Sequence, residues 1–248
     1  MKARNTSLKH YMIPGLVLAI LLCLPQSTLA YDFHAWSHGA SGYDDTIGQA
    51  TIEEMPLILY FHTDGCSWSK KMNDRYLASN DVVSFLSSIP KVEINPDRGA
   101  DEKALAMKYN VKEYPSFLVF VPTVKVKPQR VYPFRQGGDW TTGEFIHAIT
   151  SRLAGQYDHG GYAWYKGSQY DKAIRCFDRS IGLDPEDAYA YYMRGIIYHT
   201  VACQDRNTDL LKKAEINYMK SLTIDLDQPE CMAELEKLQK AMEQMGLR

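Results

Sequence analysis

The chain has no C-x-x-C pair, and cysteine is scarce: 5 residues in 248, at positions 23, 66, 176, 203 and 231. With no two thiols close in sequence, neither a zinc ribbon nor a dithiol redox motif can be written into it. Charge of one sign is missing too. Lys and Arg total 28 against 30 Asp and Glu, a formal net charge of −2, so there is no basic field to hold nucleic acid. The apolar run Gly15 to Leu24 is too short to cross a bilayer as a mature helix. None of these patterns calls for a cofactor.

That run has another reading. Lys2, Arg4 and Lys9 precede it, and "PQSTLA" places small residues before a break after Ala30. Residues 1–30 therefore read as a cleaved export signal. Cys23 leaves with it, since Leu22 is too large for a lipoprotein cleavage site. Losing three cations and no acid takes the net charge from −2 to −5. The mature chain is expected in a bacterial periplasm, with a secreted or lumenal destination as the alternative, and without stable membrane insertion. In an oxidising compartment thiols can pair. A Cys203–Cys231 disulfide would pin an insertion to the last helix, and Cys176 is an equal candidate partner, because connectivity cannot be read from spacing.

Two grammars follow. From Tyr31 to residue 155, strand and helix signals alternate. "PLILYFH" is a short apolar run, "SSIPKVEINPD" a second, "PSFLVFVP" a third, and "VYPFRQGG" an edge hairpin strand. Between them lie a helix with Met72, Tyr76 and Leu77 on one face, and the helix former "GADEKALAMKYNV". "WTTGEFIHAITSRLAG" closes the segment, capped by Thr141 or Thr142 and stopping at Gly155. The alternation predicts an α/β domain, a central mixed sheet flanked by helices.

Strand signals stop in the second segment, 156–248. Trp164, Ala173, Phe177, Ser180 and Pro185 are echoed by Tyr198, Ala214, Tyr218 and Ser221, and Gly161 by Gly195. This pattern resembles tetratricopeptide repeats, an all-α architecture in which small residues let helices close up on large aromatics. The two repeats would span about 156–187 and 188–228, the second with about seven extra residues between its helices and Leu226 where the usual proline stands. A capping helix over 230–245 would present Met232, Leu235, Leu238, Met242 and Met245 as its buried stripe. Two repeats are fewer than usually stand alone. The helical part is expected to lean on the α/β domain across a short linker near Gly155–Gly161.

The first domain resembles the thioredoxin superfamily through "LILYFH" leading into Cys66, the helix after it, and "VKEYPSFLVF". The segment "CSWSKKM" is similar to a secreted branch whose motif reads C-x-W-C-K-K, with Ser69 in place of the second cysteine. The resemblance implies Cys66 as the reactive thiol, Ser69 as its hydrogen-bond partner, and Pro115 as a cis-proline after Tyr114 that aligns a client. Tyr114 would contact that client, and Trp68 would either offer it an apolar contact or serve packing. A cysteine at a helix start with Lys70 and Lys71 nearby favours its thiolate, whereas Asp64 would oppose it if turned toward the sulfur. Ser69 cannot resolve a mixed disulfide, so what remains is monothiol exchange or capture of client thiols. The sequence also departs from that family. Tyr60 stands where a buried carboxylate is usual and Gly65 where Trp is usual, and His62 is a substitute base or a structural residue. The competing reading is a redox-inactive adaptor or chaperone-like scaffold that works through the repeats.

Other residues invite less. His34 and His38 have ligand spacing on a helix, but Gly39 and Gly42 suggest a loop, and no metal site is expected. Trp140 reads as core. Tyr157, Tyr162, Tyr165, Tyr189, Tyr191 and Tyr192 make the second half tyrosine-rich, for packing or for holding a protein partner on the repeat face.

Overall fold

The computed structural model describes residues 35–134 and 138–247. The predicted signal segment 1–30 and His34 lie outside them. Asp32–Arg248 forms one compact unit. In chain order its elements are β1 (Ser37–His38), α1 (Gly39–Ile52), β2 (Leu57–Phe61), α2 (Ser67–Met72), α3 (Asn80–Leu86), β3 (Lys91–Ile94), α4 (Ala100–Lys108), β4 (Ser116–Phe120), β5 (Gln129–Val131) and α5 (Thr142–Lys166). Then come α6 (Tyr170–Leu183), α7 (Ala188–Asp205), α8 (Thr208–Ile224) and α9 (Pro229–Gln244).

The sheet order is β1-β3-β2-β4-β5. β1, β3 and β2 run parallel, while β4 and β5 are antiparallel additions. Every residue of β2 and β4 is buried, as expected of strands covered on both faces. Ile58, Tyr60, Phe117 and Val119 face one core with Met72, Tyr76, Phe145 and Leu153. Leu57, Leu59, Phe61 and Phe120 face the other, with Tyr43 of α1 and Leu105 of α4. The period-2 alternation of side chains thus feeds two helix layers from one strand.

Three expectations change here. Residues 38–42 are not a loop, because α1 begins at Gly39. Gly39 takes φ +67, and a Cβ on Gly42 would come within 3.1 Å of the Ser37 side chain, so these glycines set a helix start against β1. The last strand, Gln129–Val131 paired with β4, starts before "VYPFRQGG" and takes only its first residue, Val131; Pro133 has no amide to extend the ladder, and its carbonyl instead accepts from Trp140 N at 3.0 Å. The closing helix, capped by Thr141 in a reciprocal box with Glu144, does not stop at Gly155 but runs on to Lys166.

The expected linker is therefore helical, and the boundary drawn between 155 and 156 falls inside α5. Its glycines serve close packing. A Cβ on Gly160 would meet Val124 at 2.7 Å, and one on Gly161 would meet the Phe177 ring at 2.8 Å. The buried amide of Gln156 bridges the halves, accepting from Val121 N at 2.9 Å and donating to Val119 O at 3.2 Å. Tyr157 Oη donates to Glu54 O, and Arg179 donates to Glu53 O. The helical half does lean on the α/β layer.

Within the helices the two repeats pack alike. Ala173, Phe177, Ala214 and Tyr218 are fully buried, and a Cβ on Gly195 would meet the Tyr218 ring at 2.7 Å, as on Gly161 with Phe177. Ser180 Oγ lies 3.0 Å from Ala154 O, and Ser221 Oγ lies 2.7 Å from Ala188 O. The extra residues of the second repeat lengthen α7 rather than form a loop, and the turn follows at Arg206 in the left-handed region. On α9 the buried stripe is rotated from the expected one. Cys231, Leu238 and Met242 are buried, with Leu235 packed beside them, while Met232 and Met245 are exposed.

Candidate functional site

β2 ends at Phe61, and five residues later Cys66 caps the start of α2 in extended conformation, φ −87 and ψ 113. Its amide donates to Thr63 O at 3.2 Å, and its carbonyl accepts from Lys70 N at 3.0 Å. The half-buried Sγ donates to Tyr114 O at 3.3 Å. The Tyr114–Pro115 bond is cis, so "CSWS" and "EYPS", far apart in sequence, meet at one sulfur. Ser69 is buried one turn on, and its Oγ has no hydrogen-bond partner.

Burial pushes the Cys66 thiol up. The Ser69 hydroxyl and the Ser69 and Trp68 amides outweigh it and hold the thiol below its ordinary value. The orphaned hydroxyl and the lowered thiol fit one picture. As a thiol, Cys66 donates to Tyr114 O; as a thiolate, it accepts from Ser69 and gives that buried hydroxyl a partner.

The lysines do less than their place in the sequence suggests. Lys70 pairs with Asp74 at 2.5 Å, and Lys71 shares Asp139 with Arg75, at 2.6 Å and 3.0 Å, so each lysine faces a carboxylate beside the motif. Asp64 is exposed toward solvent and Arg98, 4.0 Å away. Trp68 is 47 % exposed, with its ring 5.2 Å from Phe134 and Lys71 Nζ 4.9 Å from its centroid. Tyr114 is half-buried against the α1/α4 core.

Behind the motif, Tyr60 Oη lies 2.7 Å from Asn73 Oδ1 and 3.3 Å from Ser69 O. Burial, then the charges of Glu93 and Cys66, push its pKa up, so this phenol remains protonated and braces α2. His62 is buried and stacks on Tyr60 at 5.1 Å. Its Nε2 faces Glu93 Oε1 at 3.6 Å, and His38 Nδ1 approaches the same oxygen at 3.4 Å. The His62 contact, opposed by burial and aided by His38, holds the Glu93 carboxyl below its usual range. This cluster was not foreseen: Glu93 sits in an ordinary strand pattern, and only the pairing of β1, β3 and β2 brings the three together.

Cys66, Cys176, Cys203 and Cys231 are all free. The suggested Cys203–Cys231 bridge is absent. Cys231 is buried in the repeat core, with Sγ 3.6 Å from Tyr218 O, whereas Cys203 is exposed. Cys176 lies at the junction of the halves, and burial pushes its thiol up to about 11. Among the described residues no group of three or more His, Cys, Asp or Glu is placed to hold a metal ion, and no helix is long and apolar enough to cross a membrane.

Comparison with known proteins follows the same division. The family described as TPR repeat matches residues 161–201. No curated protein sequence matches the chain. Among solved structures, the chain is similar to a DsbH oxidoreductase at 21% identity, covering 48% of this chain and 83% of that one with a TM-score of 0.39. It is similar to a thioredoxin from Thermus thermophilus at 21% identity, covering 47% and 86%, TM-score 0.37. It is also similar to the first TPR of Spaghetti (RPAP3) bound to an HSP90 peptide, at 17% identity, covering 41% and 79%, TM-score 0.33. Sheet order and repeat packing thus lead where the motifs pointed: a mixed α/β sheet domain continues, through the shared helix α5, into an all-α half whose residues 161–201 match the TPR repeat family.

Proposed function

We propose that this is an exported, periplasmic single-cysteine thiol protein that captures or exchanges client disulfides at Cys66 and holds a protein partner on its repeats. The observation that carries the reading is the lowered Cys66 thiol between the unpartnered Ser69 hydroxyl and the Tyr114 carbonyl. The Cys66 thiolate attacks one sulfur of a client disulfide. A bond forms from Cys66 to that sulfur, and the other client sulfur leaves as a thiolate. Ser69 supplies no second thiol, so the mixed disulfide persists until an outside thiol attacks Cys66. Pro115 and Tyr114 align the client backbone, and Trp68 offers it an apolar contact.

The test is the pH dependence of Cys66 alkylation in a variant with Cys176, Cys203 and Cys231 replaced. A thiolate titrating well below the ~8.5 of a free cysteine supports the reading. A thiol that reacts only above that value, or only after unfolding, sinks it. A second reading, a redox-inactive adaptor, draws support from Tyr60, whose protonated phenol stands where a proton-transferring carboxylate would be needed; it predicts that partner binding survives Cys66→Ala unchanged.

A further inference from the structure

α5 and α7 are the first helices of successive pairs, α9 follows the second pair as a single helix, and α7 touches both α5 and α9. Their common face carries Tyr162 and Tyr165 from α5 and Tyr189 and Tyr192 from α7. Tyr162 and Tyr189 are 44% and 43% exposed, unusual for large rings that packing alone would bury. The Tyr162 and Tyr165 rings lie 6.4 Å apart. Tyr189 is close enough to feel Asp158, Tyr162, Asp187 and Tyr192, and burial with these neighbours pushes its pKa up to about 12. Tyr192 in turn feels Glu234, Glu230 and Tyr165. The four rings therefore follow one another along this face, Tyr162 and Tyr189 open to solvent and Tyr165 and Tyr192 partly packed against the repeat cores.

Elsewhere in the repeats such rings are already covered by cations. Arg179 lies over Tyr157 at 5.9 Å, Lys172 over Trp164 at 4.4 Å, Arg194 over Tyr191 at 5.3 Å, and Lys213 over Tyr198 at 5.6 Å. Among the described residues no cation stands over Tyr162, Tyr165, Tyr189 or Tyr192. Carboxylates bound the strip at both ends. At one end Asp158 faces Asp187, the N-cap of α7; burial and Asp187 keep Asp158 protonated at neutral pH, so the pair presents one negative charge. At the other, Glu230 is exposed, and Glu234 is shared by Lys237 at 2.7 Å and His199 at 4.0 Å. Open aromatic faces between negative ends are what an ammonium or guanidinium group seeks.

We propose that this face takes a polypeptide segment bearing lysine or arginine, its cations seated on Tyr162, Tyr165, Tyr189 and Tyr192 between the Asp158–Asp187 pair and Glu230. The inference rests on the reading that the repeats hold a protein partner, and it names the chemistry of that partner. The experiment titrates three short labelled peptides into the mature chain by fluorescence anisotropy: one of lysine and serine, one of glutamate and serine, one of leucine and serine. The lysine peptide is expected to bind, with affinity falling about tenfold in Tyr162→Leu/Tyr189→Leu and severalfold in Glu230→Gln. Both tyrosines are half exposed, and circular dichroism of the variants checks that the repeats remain folded. Lysine-peptide binding that ignores the tyrosine substitutions is diffuse attraction to an acidic protein and overturns the inference. Binding of the glutamate or leucine peptide instead also overturns it, but leaves the partner-holding reading standing. Binding of none removes both.

Discussion

At Cys66 the relevant balance is between burial, which favours the neutral thiol, and three donors, which favour the thiolate. Ser69 is the one donor that can be removed without touching the backbone. Ser69→Ala is expected to slow Cys66 alkylation near neutral pH roughly tenfold, since a hydrogen bond to a charged group contributes about 1.5–3 kcal/mol; stopped-flow alkylation against pH checks it. Ser69→Cys should have a different signature. It restores a resolving thiol one turn from Cys66, so mixed disulfides with a model client should stop accumulating and dithiol-driven reduction of insulin should appear. Failure of both would mean that the sulfur is sequestered by Tyr114 O. Cys66, Ser69 and Pro115 were legible in the motifs, because helix capping and the Tyr-Pro step are local. The Lys70–Asp74 pair is local, but the partner of Lys71 was not legible, because Asp139 comes from a distant part of the chain.

Among the elements, the helix pairs are held by glycines that accept a ring at van der Waals range. Gly161→Ala sets a Cβ 2.8 Å from the fully buried Phe177 ring, and overpacking of this kind costs about 1–3 kcal/mol. Thermal unfolding of the variant should show it, while Gly182→Ala, with nothing within 4 Å, should be neutral or mildly stabilising. A second prediction concerns Asp158, whose carboxyl is pushed up to about 8 by burial first and by Asp187 next. Between about pH 4, where an unfolded aspartate loses its proton, and about pH 8, the native chain holds a proton that the unfolded chain lacks. Stability must then fall as pH rises across that window. Asp158→Asn should flatten that decline in urea melts taken from pH 5 to 8.5; an unchanged slope would place the proton elsewhere. The alanine, aromatic and serine positions of both repeats could be read from their spacing. The rotation of α9 could not, since Cys231 and Met232 are both apolar and only the neighbouring α8 decides which is covered.

Across the whole molecule, α5 makes two sequence grammars into one body. Its first half closes the sheet's core with Phe145, Ile149 and Leu153, and its second half is the first helix of the repeats. Gln156 sits at the change-over and satisfies both Val121 N and Val119 O. Gln156→Leu would leave a buried amide and a buried carbonyl unpaired, each costing about 1–3 kcal/mol. Because both halves share the helix, their unfolding should remain one transition at lower temperature. Separate transitions for Trp140 and Trp164 fluorescence in the wild-type chain would contradict the shared-helix account.

The sequence alone determined what local chemistry controls: the alternation of strands and helices, the single cysteine at a helix start, the repeat periodicity, and the absence of a second thiol. Tertiary structure decided what depends on approach between distant segments. It made a helix of the supposed linker, because Gly160 and Gly161 allow Val124 and Phe177 to come close. It left Cys203 and Cys231 unpaired, and it set His38, Glu93 and His62 around one carboxylate. Residue spacing encodes a face and a period, while the partner that covers that face is fixed only when the packed chain brings it within contact distance.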